Sequence, residues 1–170
     1  MLQPFICRSL FGCLMMACVL SGASPSQAQT VQFRADLSGS NQVPPVQSAG
    51  SGTVTAVYDS STKRLSWKGE YSGLSGAATA AHIHGPAATT ATARLVVWIS
   101  ENRDQCSQGE CRSKSDAKAP PLASPFQGSA ILTDSQTADL MAGMYYANIH
   151  TDAHPRGEIR GQLTRSPQSN

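Results

Sequence analysis

Three of the four histidines in this 170-residue chain lie in two short segments, Ala81-His82-Ile83-His84-Gly85-Pro86 and Ala147-Asn148-Ile149-His150-Thr151-Asp152. The fourth, His154, follows at once. Neutral imidazoles suit Cu(II), Zn(II) and Ni(II), and copper heads the affinity order for such a set. Each segment carries one isoleucine between polar neighbours and reads as a strand end. Successive side chains of a strand point to opposite faces, so His82 and His84 share a face and Ile83 takes the other. Asn148 and His150 flank Ile149 in the same way. If the two strand ends meet, His82, His84, His150 and His154 form a candidate metal site, copper favoured over zinc.

Asp152 and Glu158 are possible carboxylate partners for that site. Met141 and Met144 add thioethers that suit cuprous ion, although Met141 equally reads as core. The competing reading is structural. Alternating histidines at a strand end also satisfy themselves on Glu158, Arg160, Asn148 or backbone carbonyls, and a buried polar cluster of that kind locks two strands together. The spacing has none of the tight signatures of known metal sites, such as H-E-x-x-H.

The segment 155–163, Pro-Arg-Gly-Glu-Ile-Arg-Gly-Gln-Leu, sets Ile159, Gly161 and Leu163 on one face and Glu158, Arg160 and Gln162 on the other. Glu158, Arg160 and Asn148 are therefore candidates to orient the histidines by hydrogen bonds. Alternatively the charged face serves solubility, and Gly161 admits a close neighbour. Other catalytic constellations are not visible. Gly73-Leu74-Ser75-Gly76 lacks the spacing of a nucleophile elbow, no glycine motif cradles a phosphate, and the carboxylates are scattered. The expectation is a protein that is not an enzyme.

These residues need a scaffold, and the chain's first part is not it. Arg8 closes a short polar start, residues 9–23 are apolar, and Ser24-Pro25-Ser26-Gln27-Ala28 offers small residues for cleavage. Residues 1–28 thus read as a cleaved signal peptide, about 15 apolar residues being short for a membrane span. Export to the periplasm or beyond the cell follows. Residues 29–170 form one domain with no membrane span. Arg8 is the leader's sole charge, so the 13 basic residues fall to 12 against 11 acidic ones. That balance gives no footprint for nucleic acid. Cys7, Cys13 and Cys18 leave with the leader, and Cys106 and Cys111 remain, read as a local disulfide in an oxidising compartment.

Strand signals dominate the rest. Residues 31–37 alternate Val31, Phe33, Ala35 and Leu37 with Gln32, Arg34 and Asp36, and similar runs occupy 53–58, 64–71, 80–84, 93–100, 128–132, 144–150 and 158–164. The run at 93–100 is nearly all apolar, which predicts cover on both faces. One short helix interrupts: Thr133 and Gln136 have capping-box spacing, and Gly143 can stop it. Residues 101–125 form a long polar loop, the obvious surface for a protein or matrix partner. The fold expected is an all-β antiparallel β-sandwich with Greek-key links and one short helix.

The chain also resembles a known family. Phe33-Arg34-Ala35-Asp36-Leu37-Ser38-Gly39 with Gln42-Val43-Pro44-Pro45, then Gly52-Thr53-Val54, Tyr71-Ser72-Gly73-Leu74 and His82-Ile83-His84-Gly85-Pro86 match the CHRD domain, the module named from chordin. So do Leu132-Thr133, Leu140, Gly143, residues 145–151 and the segment 155–163. The resemblance runs from about residue 31 to 164, and its closing block is its most specific part. It implies a secreted, β-rich domain and brings no enzymatic activity. In chordin, growth-factor binding belongs to separate cysteine-rich modules, which this chain lacks. The expected function is a secreted binding protein, its metal a copper or zinc ion on the histidine cluster. The alternative is an extracellular protein- or matrix-interaction module whose histidines are structural.

Overall fold

Alternation along the strands becomes the inside and outside of one sheet in the computed structural model, which describes residues 29–99 and 121–167. The proposed leader, Cys106 with Cys111, and the 101–120 part of the long loop lie outside the described residues. In β1 (Thr30–Ser38) Phe33, Ala35 and Leu37 are buried while Gln32, Arg34 and Asp36 are exposed. β2 (Ser51–Asp59) buries Val54, Ala56 and Tyr58, and β3 (Arg64–Ser72) buries Leu65 and Trp67. The period of two is what a half-buried strand requires, because each residue turns its side chain by half a turn.

The remaining strands are β4 (Ala78–His84), β5 (Leu95–Trp98), β6 (Phe126–Ile131), β7 (Tyr146–Thr151), β8 (Ile159–Gln162) and the short β9 (Thr164–Arg165). They join in the order β5-β4-β7-β8-β1-β2-β3-β6, with β9 beside β1, and every pairing is antiparallel. Among the described residues the fold is therefore all-β with one short helix. The two layers foreseen as a sandwich are the two arms of a single sheet, rolled into a nearly closed barrel. Buried side chains from both arms make one core, including Phe33, Val54 and Leu65 from one arm and Ile83, Ile149 and Ile159 from the other.

The seam between the arms is the β8–β1 contact, where Ser38 faces Arg160. A Cβ on Gly161 would press into the Asp36 carbonyl, so this approach requires glycine. β5 is shorter than its apolar run suggested, and among the described strands it pairs with β4, at one end of the sheet. Val97 and Ile99 still reach the core, but Leu95, Val96 and Trp98 are only half-buried.

The helix α1 (Asp134–Met141) has the expected reciprocal cap. The Thr133 N–H donates to Gln136 Oε1 at 2.8 Å, and the Gln136 N–H donates to Thr133 Oγ1 at 3.2 Å. Gly143, at φ +70°, takes the left-handed turn that follows. Leu140 is fully buried, and the Tyr58 hydroxyl lies 3.0 Å from Thr137 Oγ1, which docks the helix on β2. With only eight residues the helix leans on its cap. Thr133→Ala is expected to cost about 1 kcal/mol, read as a lower urea midpoint at unchanged slope; no shift would show the cap to be redundant. Among the described residues no helix is long and apolar enough to cross a membrane.

Candidate metal centre

β4 and β7 run side by side with His82 opposite Asn148 and His84 opposite Tyr146. Cross-strand partners share a face. Ile83 and Ile149, both fully buried, therefore point into the core, and the histidines stand on the outer face of this arm. β8 extends that face, with Arg160 opposite Asn148 and Gln162 opposite Tyr146. The outer face is not open to water as a simple edge would be. The loop from Gly85 to Arg94 and the turn after β7 set carbonyls against His84 and His150, and His82, packed against Trp98, His84 and His150, is only 8% exposed.

One ring nitrogen from each of His82, His84 and His150 lies within 4.8 Å of the others. The His82 and His150 rings meet edge to face at 4.9 Å, and those of His82 and His84 at 5.5 Å. His82 Nδ1 stands 3.1 Å from His150 Nε2. His84 Nδ1 is 3.1 Å from the Ala93 carbonyl oxygen, and His150 Nδ1 is 3.1 Å from that of Pro155. A carbonyl only accepts, so Nδ1 carries the proton in both rings and Nε2 keeps its lone pair. His82 Nε2 and His84 Nε2 are buried without a hydrogen-bond partner among the described residues, as is Trp98 Nε1. The Trp98 ring packs edge-on against His82 at 4.3 Å.

Burial penalises the charged form of each ring. It lowers His82 to about 3, helped by the nearness of His150 and His84. It also lowers His84, partly opposed by the hydrogen bond to Ala93, and His150, opposed by the one to Pro155. All three imidazoles are therefore neutral at neutral pH, the form that ligates metal.

The other residues singled out in the sequence sit elsewhere. His154 lies in the turn beyond β7, where its N–H donates to the Thr151 carbonyl at 3.1 Å; it is not one of the clustered three. Asp152, in the same turn, is exposed. Glu158 is fully buried, yet it accepts from Ser48 Oγ (2.7 Å), the Ser75 N–H (2.8 Å), Ser75 Oγ (2.6 Å) and Thr151 Oγ1 (2.6 Å), not from a histidine. Asn148 accepts from Gln42 at 2.8 Å and donates to the Arg156 carbonyl at 3.3 Å. Arg160 touches the cluster at one remove. Its guanidinium carbon sits 3.6 Å over the Tyr146 ring, which in turn stacks on His84 at 5.1 Å.

Sequence reasoning named backbone carbonyls among the possible partners but not which ones, those of Ala93 and Pro155, and it missed the indole of Trp98. Every residue carries a carbonyl, so no side-chain pattern could have marked the first two.

The family model of the CHRD domain matches residues 33–163. No curated protein matches the chain, and no solved structure does.

Proposed function

The chain belongs to the CHRD domain family, and from that footing we propose that it is an exported binding module holding one transition-metal ion on His82, His84 and His150. Copper is preferred to zinc, following the affinity order for imidazole sites. The observation that carries this reading is the convergence of three neutral imidazoles within 4.8 Å. The facing His82 Nδ1 and His150 Nε2 stand 3.1 Å apart. His150 Nε2 accepts there, so His82 Nδ1 donates the bond. An ion that displaces this one proton finds two nitrogens roughly 3 Å apart, the spacing of two imidazoles on one ion.

Two further features support the reading. The Ala93 and Pro155 carbonyls fix the tautomer and aim of His84 and His150, the task that outer partners perform in metal sites. His84 Nε2 is also buried without a hydrogen-bond partner among the described residues, which leaves its lone pair for an ion to satisfy. With three protein ligands, a fourth position is left for solvent or another donor.

The second reading rests on those same contacts. The His82–His150 bond and the two histidine–carbonyl bonds would clasp β4, β7 and their loops, leaving a scaffold for a protein or matrix partner. One experiment separates the two. Elemental analysis and calorimetric titration of the untagged chain should give one equivalent of Cu(II) bound more tightly than Zn(II). His82→Ala combined with His84→Ala should abolish it. A folded wild-type protein that takes up neither ion refutes the metal site.

A further inference from the structure

The three clustered histidines offer an ion neutral nitrogens and no counter-charge. Glu158 spends its oxygens on Ser48, Ser75 and Thr151. Asp152 is exposed and outside the clustered three. Asp36 is held by Arg34 Nη2 at 2.6 Å.

Arg160 adds a charge of the opposite kind. It is 2% exposed, and the ion pairs among the described residues, Arg34–Asp36 and Lys63–Asp134, do not include it. Its Nη2 donates to the carbonyls of Ala91 (2.8 Å) and Ala88 (3.3 Å), which anchor the group and leave its charge in place. β7 lies between β4 and β8, so Tyr146 stands between His84 and Arg160. The His84 ring stacks on it at 5.1 Å with the planes 8° apart, and the guanidinium carbon lies 3.6 Å from the same ring. Ala93 ties the stack together. Its N–H donates to the Tyr146 hydroxyl at 3.1 Å, and its carbonyl accepts from His84 Nδ1 at 3.1 Å. Burial is the main reason that His84 resists a positive charge, and His150 and Arg160 add to it.

We infer, resting on the metal reading above, that the cluster holds cuprous ion more tightly than cupric ion and that Arg160 sets part of this preference from behind Tyr146. Burying an ion without a counter-charge costs more for Cu(II) than for Cu(I), because the desolvation penalty grows with the square of the charge. The Arg160 cation also repels Cu(II) twice as strongly. A dry, uncompensated shell of this kind raises the reduction potential of the metal it surrounds. Coordination points the same way. Cu(II) prefers a tetragonal set of donors, whereas β4 and β7 bring three imidazoles together and His154 stands aside.

Competition of the full chain against a cuprous chelator under ascorbate, and against a cupric chelator in air, gives the two affinities. Only the equivalent lost in a His82→Ala, His84→Ala double variant is counted, because the five cysteines bind cuprous ion themselves. Cu(I) should bind at least about tenfold more tightly than Cu(II), which raises the reduction potential by about 59 mV above that of the free ion. Arg160→Gln removes the charge and keeps an amide donor for the two carbonyls, and it should lower that ratio roughly tenfold. A unit charge about 10 Å away at an effective dielectric constant of about 20 has that weight. Arg160→Lys should retain the ratio. Asn148→Asp sets a carboxylate opposite both His82 and Arg160, so it tests the same charge if Arg160→Gln does not fold, and it should also lower the ratio. Equal affinities, or tighter Cu(II), overturn the inference and leave the metal site standing; uptake of neither ion removes both. A ratio unchanged in the Arg160→Gln and Asn148→Asp variants overturns the role of Arg160.

Discussion

Glu158→Ala is expected to destabilise the fold by about 3 kcal/mol, more than any other single polar substitution among the described residues. The carboxylate is fully buried and collects four hydrogen bonds from Ser48, Ser75 and Thr151. Hydrogen bonds to a charged group contribute about 1.5–3 kcal/mol each when they stand alone, and they do not add fully. Ser48, Ser75 and Thr151 hydroxyls can rotate to new partners after truncation. The Ser75 N–H cannot, and it would be left buried and unpaired. Glu158→Gln keeps one acceptor oxygen for it, so its cost should be about half as large.

The charge state gives this prediction a second readout. Burial alone would raise the Glu158 pKa, but the hydrogen bonds from Ser48, Ser75 and Thr151 win and hold it at about 2, against an ordinary 4.5. A depressed carboxylate gives its full stabilisation above the unfolded value of 4.5. It loses that stabilisation as pH falls from there toward 2, because the unfolded chain takes up the proton first. The buried histidines are depressed too and shed stability over a window that begins higher, near their ordinary 6.5. The signature is therefore the difference between wild type and Glu158→Gln in urea melts. That difference should be constant above pH 4.5 and should shrink below it. A difference that does not change with pH would mean the carboxylate is not held ionised by these contacts.

What the chain revealed before its structure divides along a physical line. Short-range signals were legible. The alternation from Val31 to Leu37 returned as β1, and the Thr133–Gln136 spacing returned as a reciprocal cap. The histidine faces were legible as well, because the alternation of side chains along a strand fixes which of them share a side. The convergence of His82 and His84 with His150 was not, since it depends on β4 lying next to β7, a neighbour 68 residues away in sequence between His82 and His150. His154 failed to join for a local reason. β7 ends at Thr151 and the chain turns, so alternation no longer governs where the next side chains go.

Arg160 was placed on the correct strand face but given the wrong neighbours, whereas Glu158 lies just before β8 and bonds Thr151, which shares the core face of β7 with Ile149. Their partners, Ser48 and Ser75 for one and the Ala88 and Ala91 carbonyls for the other, come from loops with no apolar period to read. Backbone acceptors leave no trace in a sequence. Buried charge on a final strand therefore signals only that distant loops cover it.

Copper loading should then raise stability more than any substitution lowers it. A ligand that binds only the folded state, at a free concentration a thousand times its dissociation constant, contributes about 4.1 kcal/mol. For a domain of this size that is a melting temperature higher by roughly 10 °C. The histidine variants decide whether the imidazoles are there for the ion or for the fold. His84 makes one hydrogen bond, to the Ala93 carbonyl, and is half-buried. His84→Ala should therefore cost the metal-free protein only about 1 kcal/mol, while erasing the copper-induced rise. His82 is more deeply buried, against Trp98, and its loss should lower stability with or without metal. A purely structural clasp gives the opposite pattern: both variants melt lower by their own contacts, and copper moves none of the three proteins. The metal reading stands on that separation, because one buried and two half-buried imidazoles cost desolvation that two carbonyl bonds and one ring-to-ring bond only partly offset.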